Sequence, residues 1–407
     1  MKHFLEGKLL LSATDPSTFV KGPETLLGSC RLDLPTDDTT IMNSGPDIDQ
    51  LCKELNPYLD TLALWFQSRF LQISAAKSSG TLFTTWSNEF NKKLPLKVLG
   101  KEIPTVTDPK ILGMTMDPMF NFGTHAKKTA SKVAKRHNVL KALAGSTWGK
   151  SKEVLNTTFK AIGKSVTMYA APAWTPLLSD SNWNLLQARQ NSALRTVTGC
   201  TRTSDINDIH NEASSLPVKN HCNMLTEQFL LSMHQADHPN RPILSQPAPP
   251  RDKRKTITDY NNKIEHLVPD DGPISKADYK IGLKTIHTNA VSAYTDNYRS
   301  KILGSKPPTL CKTEQSLPRK TRTTLAQLRT GYSPYLKGYC RRIGDAVSEL
   351  CPKCGLEPHT TTHLFNCPSN PTTLPVTALW SDPVEAARFL ELQLVEEETE
   401  EEDHDPG

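Results

Sequence analysis

The chain has 407 residues, 37% of them hydrophobic and 22% charged, a length that suits two or three folded units. Its net charge of +5 hides an asymmetry: residues 391–407 hold nine acids and no Lys or Arg, which leaves 48 bases against 34 acids in the body. That balance suits a polyanion binder, while the longest apolar runs are too short for a membrane-spanning helix or a signal-peptide core. Nine cysteines, six of them scattered singly, point to an intracellular protein of nucleus or cytoplasm rather than a secreted disulfide scaffold.

Residues 1–33 show no clear period. A polar turn, LPTDDTTIMNSGPD, comes next. Leu51, Leu55, Leu59, Leu62 and Phe66 then follow at helical spacing, with Asp47 or Asp49 as the cap. Residues 79–85 and 97–107 read as short strands joined by a turn, and 111–116 as another. From 126 to 174 the pattern is helical. Ala126, Ala130, Val133, His137, Leu140 and Ala144 fall on one side of a wheel, and Lys128, Lys132, Lys135 and Arg136 on another. Residues 126–164 hold ten Lys and Arg against one acid, Glu153; such a one-sign face is either a solvated surface or a phosphate-contacting one. A further helix over 182–198 has Ser181 and Gly199 as its start and stop, and 221–234 is another. Seven prolines mark 236–275 as a linker. Helix returns over 276–306, and a basic, cysteine-bearing unit follows.

The most specific spacing is CPKCGLEPHTTTHLFNC. Cys351, Cys354, His363 and Cys367 offer three thiolates and one imidazole, a closed tetrahedral zinc site with a structural role. Gly355 supplies the tight turn after the second ligand, and His359 is the rival fourth ligand. Upstream, Arg319, Lys320, Arg322, Arg329, Lys337, Arg341 and Arg342 interleave with Tyr332, Tyr335 and Tyr339. Basic and aromatic groups together hold phosphates and stack on bases.

A second constellation is Asp37-Asp38 in LPTDDTTI. Adjacent carboxylates in a turn either hold magnesium for nucleotidyl transfer or are simply solvated, and their surroundings decide. Those surroundings run DDTTI, a leucine-faced helix, AAKSSGTLF (75–83), PKILGMTMD (109–117), LKALAGSTWG (140–149), SVTMYAAPAW (165–174) and LQARQNSALRTVTG (186–199). LRTGYSP (328–334) then precedes the cysteine set. In that order they resemble the C-terminal part of reverse transcriptase polyproteins from non-LTR retrotransposons, above all the Jockey-like LINE elements.

The resemblance implies RNA-directed DNA polymerase ancestry. Asp37 and Asp38 would correspond to metal-binding aspartates, Lys77 to a palm lysine near the incoming nucleotide, and Gly113 to a turn that grips the primer. Pro35-Thr36 stand where the family has Tyr-Ala. The third metal carboxylate, from an earlier strand, has no match, since Asp15 lacks its context, and the fingers are missing. Magnesium is therefore expected only if a complete site is assembled, and the chain alone is expected to be inactive: a remnant, or a fragment of a longer frame.

The expected fold is α+β: a partial palm over 1–120, a helical thumb-like region over 121–235, a linker over 236–275, a helical segment with a zinc-knuckle-like unit over 276–370, and a disordered acidic tail over 371–407. Nucleic-acid contacts are expected from Lys77, Lys128, Lys132, Lys135, Arg136, Tyr335, Lys337, Arg341 and Arg342, with RNA and DNA as partners and no membrane. The alternatives are a zinc-stabilised module that binds protein, and a translated remnant with no function.

Overall fold

The computed structural model describes residues 7–14, 31–33, 38–84, 86–145, 148–245, 257–270 and 272–395. They form a mixed α+β fold in two compact units, one of residues 1–128 with 177–182, the other of 129–176 with 183–407.

The first unit carries a four-stranded antiparallel sheet in the order β2-β3-β1-β4. Its strands are β1 (Gly7–Thr14), β2 (Arg31–Asp33), β3 (Asp38–Gly45) and β4 (Ser79–Phe83). β1 is central, with Leu10 opposite Met42 on β3 and opposite Thr81 on β4. Its run of three leucines has no alternation, so no period marked it as a strand. β2 and β3 form a hairpin, Asp33 opposite Thr40. Asp37 lies outside the described residues. Asp38 opens β3, opposite Thr14.

Helix α1 (Ile48–Gln67) covers this sheet. Asp47, not Asp49, caps it, accepting from the Asp49 and Gln50 N–H groups at 2.8 and 3.2 Å. The predicted face is real: Leu51, Leu55, Leu59 and Leu62 are buried. Leu55, Leu59 and Leu62 share a core with Ile41, Leu82, Leu96, Val98 and Ile103. Each such side chain contributes roughly 1.5–3 kcal/mol. The stretch 97–107 is not one strand but a small hairpin, β5 (Lys97–Val98) and β6 (Lys101–Glu102). β7 (Lys110–Ile111) and β8 (Met114–Thr115) repeat the design. Leu112 and Gly113, at φ 45° and 83°, make the two-residue turn between them. Turns with both central φ angles positive match the strands' twist, and glycine meets that demand without strain.

The second unit is helical. α2 (Gly123–Leu143) is followed by α3 (Lys152–Phe159), a π turn at Lys160–Lys164, and the short α4 (Ser165–Met168) and α5 (Ala171–Trp174). All six residues of the predicted α2 stripe are buried, from Ala126 to Ala144. α6 (Asp180–Thr198) starts one residue before Ser181, with the Ser179 carbonyl accepting from Asn182, and Gly199 closes it as expected. α7 (Ile206–Glu212) and α8 (Val218–Met233) follow.

The segment 236–275 is not an open tether where it is described. α9 (Ile257–Ile264) buries Tyr260 and Ile264 in one cluster with Leu230, Leu231 and Ile274. Its proline content hid a short amphipathic helix. α10 (Lys276–Thr295) packs on α8. Then come α11 (Arg319–Thr330), α12 (Lys337–Arg342), α13 (Thr361–Leu364), α14 (Ala378–Ser381) and α15 (Pro383–Phe389). α14 and α15 correct the tail reading. Leu379, Trp380, Ala386, Ala387 and Leu390 share a core with Leu325 and Leu328 of α11. Of that stretch, residues 396–407 lie outside the described residues. Among the described residues no helix is long and apolar enough to cross a membrane.

Candidate metal centre and basic surfaces

Cys351, Cys354, His363 and Cys367 meet at one point, their ligand atoms all within 4.8 Å of one another. The first two sit on a tight turn. The Cys351 N–H donates to the Glu357 carbonyl at 2.7 Å, and the Gly355 N–H to the Cys351 carbonyl at 2.8 Å. Gly355 stands at φ +66°, a left-handed conformation that costs glycine nothing. The other two ligands come from α13 and the turn after it. The Thr360 side chain caps α13, and Leu364 and Phe365 anchor it in the core between His363 and Cys367.

The Cys351 and Cys367 sulfurs are 3.8 Å apart, and Cys354 Sγ is 3.3 Å from His363 Nε2. A tetrahedral ion with zinc–sulfur bonds of about 2.3 Å sets its sulfurs about 3.8 Å apart. Three of the ligands are buried and Cys354 is half-buried, so this Cys/His cluster is able to coordinate a metal ion.

The His363 ring is oriented from behind. Its Nδ1 lies 2.9 Å from Glu357 Oε2; donation there leaves the Nε2 lone pair facing the cysteines. His359 is employed elsewhere. Its Nδ1 accepts the Lys337 N–H at 3.1 Å, and its carbonyl takes the Gly338 N–H. It fastens the start of α12 and stands outside the four-residue group. The Leu356 N–H pulls the Cys354 thiol down to about 6. Burial pushes Cys351 up, but the Cys354 and Lys353 N–H groups bring it below the ordinary thiol value. Both shifts favour the thiolate, the form that binds a metal.

Glu357 was not singled out in the sequence, although a carboxylate six residues before a ligand histidine is a usable signal. Glu357→Gln is expected to weaken metal binding about 10–100-fold, while His359→Ala leaves metal affinity near that of the parent. Competition with a chromogenic chelator measures both.

The predicted basic residues divide into two groups. Lys77, Lys128, Lys132, Lys135, Arg136, Lys337, Arg341 and Arg342 are exposed. Tyr335 and Lys337 line a cavity of about 210 Å³ together with Cys351, Cys367 and Lys353. Arg319, Arg322 and Arg329 are instead buried, which removes them from the expected phosphate-holding set. Arg319 donates to the carbonyls of Val197 and Thr196 at 2.9 and 2.8 Å, closing the end of α6. Arg322 grips Glu153 with two bonds, of 2.9 and 2.5 Å. Arg329 binds Glu212, Glu314 and the Leu379 carbonyl, and Lys152 bridges the same two glutamates at 2.8 and 2.9 Å. These arginines sit at 319, 322 and 329, in phase with the buried Ala326. α11 is buried nearly all round, so no one-sided stripe in the sequence sets these arginines apart from exposed ones.

Among curated proteins, the chain is similar to one described as a probable RNA-directed DNA polymerase from transposon BS of Drosophila melanogaster, with 25% identity over 164 residues. The match covers 40% of this chain and 18% of that protein. It is a distant, partial similarity to a retrotransposon polymerase-like protein. No family model matches, and no solved structure matches.

Proposed function

We propose that the chain is a nucleic-acid-holding part of an RNA-directed DNA polymerase of the non-LTR retrotransposon kind, without polymerase activity of its own. The observation that carries this reading is the exposed face of α2. Lys128, Lys132, Lys135 and Arg136 recur there at helical spacing, and no carboxylate is ion-paired with them among the described residues. Unneutralised charge of one sign along a helix is suited to a phosphate backbone. The partial similarity to the transposon polymerase supports the same class. On this reading the β2–β3 hairpin is part of a palm, and α2 to α8 a thumb-like unit. Asp37 and Asp38 would hold magnesium only in a site completed by a third carboxylate.

Zinc is the ion we assign to the cysteine–histidine cluster. Three thiolates with one imidazole favour it, and four protein ligands leave no position for a reactive water. Its role is structural, holding the turn at 351–358 against α13.

Binding of an RNA–DNA duplex is expected to weaken with salt, the logarithm of the association constant falling by about 0.9 per phosphate contact per log unit of salt. Reversing all four α2 charges is expected to reduce that slope by about 3 to 4. Fluorescence anisotropy between low and high salt measures it, and a flat profile in the parent chain would sink the reading. A zinc-stabilised protein-docking module would then stand, since Ile343, Leu350 and Leu356 are exposed apolar residues around the knuckle.

A further inference from the structure

The helical unit holds a cavity of about 600 Å³ beside the start of α7 and the end of α10, which the reading above leaves unused. That volume lies within the range of small-molecule sites. Its walls differ in chemistry. On one side is Asp208, buried, whose Oδ1 accepts the Tyr298 hydroxyl. Its Oδ2 is also buried and has no hydrogen-bond partner among the described residues. A buried acceptor left unmet calls for a donor. Arg299 and Lys301 also line the cavity, both exposed, with no carboxylate ion-paired to either among the described residues, though Arg299 Nη1 donates to the Asp296 and Tyr298 carbonyls at 2.5 and 2.9 Å.

The cavity also has flat faces. Tyr294, Tyr298 and Tyr332 all line the cavity. Lys301 Nζ donates to the Tyr332 hydroxyl at 3.0 Å and lies 5.2 Å from the centre of its ring. Arg342 sits 6.0 Å from the same ring. Lys301, Tyr332 and Arg342 also line a smaller cavity of about 160 Å³, so the two share a wall. A cation-flanked aromatic ring is a stacking platform for bases.

A ligand that satisfies all three demands carries hydrogen-bond donors, a flat ring system and an anion. An inorganic phosphate meets only the last, and a simple amine only the first. We infer that this cavity takes one unpaired nucleotide, its base donors toward Asp208, its ring among the tyrosines and its phosphate on Arg299 and Lys301. The site lies apart from the α2 face in sequence and in chemistry, and it does not depend on polymerase ancestry.

The test is titration of the full chain with GMP, UMP, inorganic phosphate, a short single strand and a blunt duplex. GMP is expected to bind at least about tenfold more tightly than phosphate. Arg299→Gln with Lys301→Gln, at exposed positions, is expected to weaken GMP at least about tenfold. Asp208→Asn is expected to lower the preference for GMP, which presents adjacent N–H donors, over UMP. Tighter binding of the single strand than of GMP would make the natural ligand a base within a strand, and the reverse order a free nucleotide; either supports the site. GMP binding no tighter than phosphate, or unchanged by the Arg299 and Lys301 changes, would overturn it. Reversing the α2 charges leaves GMP binding intact on this inference, so failure here and failure of duplex binding are separate results.

Discussion

Cys354→Ser is expected to abolish stoichiometric metal binding and to unfold the segment from the Cys351 turn to Cys367. The parent chain is expected to carry one zinc, measurable by atomic absorption after exhaustive dialysis. The binding energy of such a site is on the order of 10 kcal/mol, and much of it is folding energy. The turn has little else to hold it. The Leu350–Pro358 bridge and a few backbone bonds close it, while Leu356 and Glu357 are exposed. α13 keeps its apolar anchor through Leu364 and Phe365. Chelation is therefore expected to release the Cys351 turn, read by hydrogen exchange at 350–360, with the helical core left folded. A parent chain that purifies free of metal, or a Cys354→Ser chain that retains a full zinc, would remove the centre from the account.

Arg329→Met is expected to cost about 3–5 kcal/mol in a urea titration, the usual result of breaking a buried pair from one side. Its guanidinium is buried, and so are both carboxylates that it binds. Without it, Glu212 and Glu314 keep Lys152, with Arg322 Nε 3.8 Å from Glu314, and the Leu379 carbonyl loses its donor. Arg329→Lys keeps the charge but not the fork, so a smaller loss is expected.

The same network sets an acid dependence. Burial raises the Glu212 carboxyl, but Arg329 and Lys152 bring it down to about 2, against an ordinary value of 4.5. A folded-state pKa below the unfolded one contributes stability that is present above about pH 4.5 and fades as pH falls toward about 2. Urea midpoints at pH 7, 4 and 3 are expected to fall in the parent and to fall less in Arg329→Met. Equal slopes in the two chains would place the acid sensitivity elsewhere.

Local patterns in the sequence were reliable where one short stretch contains both cause and effect. α1 has its leucine stripe and Asp47 cap within one segment, and α6 its apolar phase and closing glycine. The metal cluster is similar: four ligands within 17 residues can meet only through the local turn and one helical turn that the spacing describes. The alternative fourth ligand was not decided there, because His359 and His363 are both within reach along the chain. The Lys337 N–H, 22 residues away from His359, claims that ring, and Glu357 orients the other.

What the sequence by itself determined is therefore the helix stripes, the glycine that closes α6 and the three cysteines of the cluster. Tertiary structure decided which charges are inside. Arg322 and Arg329 look like their exposed neighbours until Glu153 and Glu212 arrive from distant segments to pair with them, and Arg319 until the Thr196 and Val197 carbonyls take up its guanidinium. It also decided that the proline-rich stretch holds a packed helix at Ile257–Ile264 and that Leu379 and Trp380 close a core. In each case the stabilising partner lies far along the chain, and a residue's burial depends on that partner rather than on its own type.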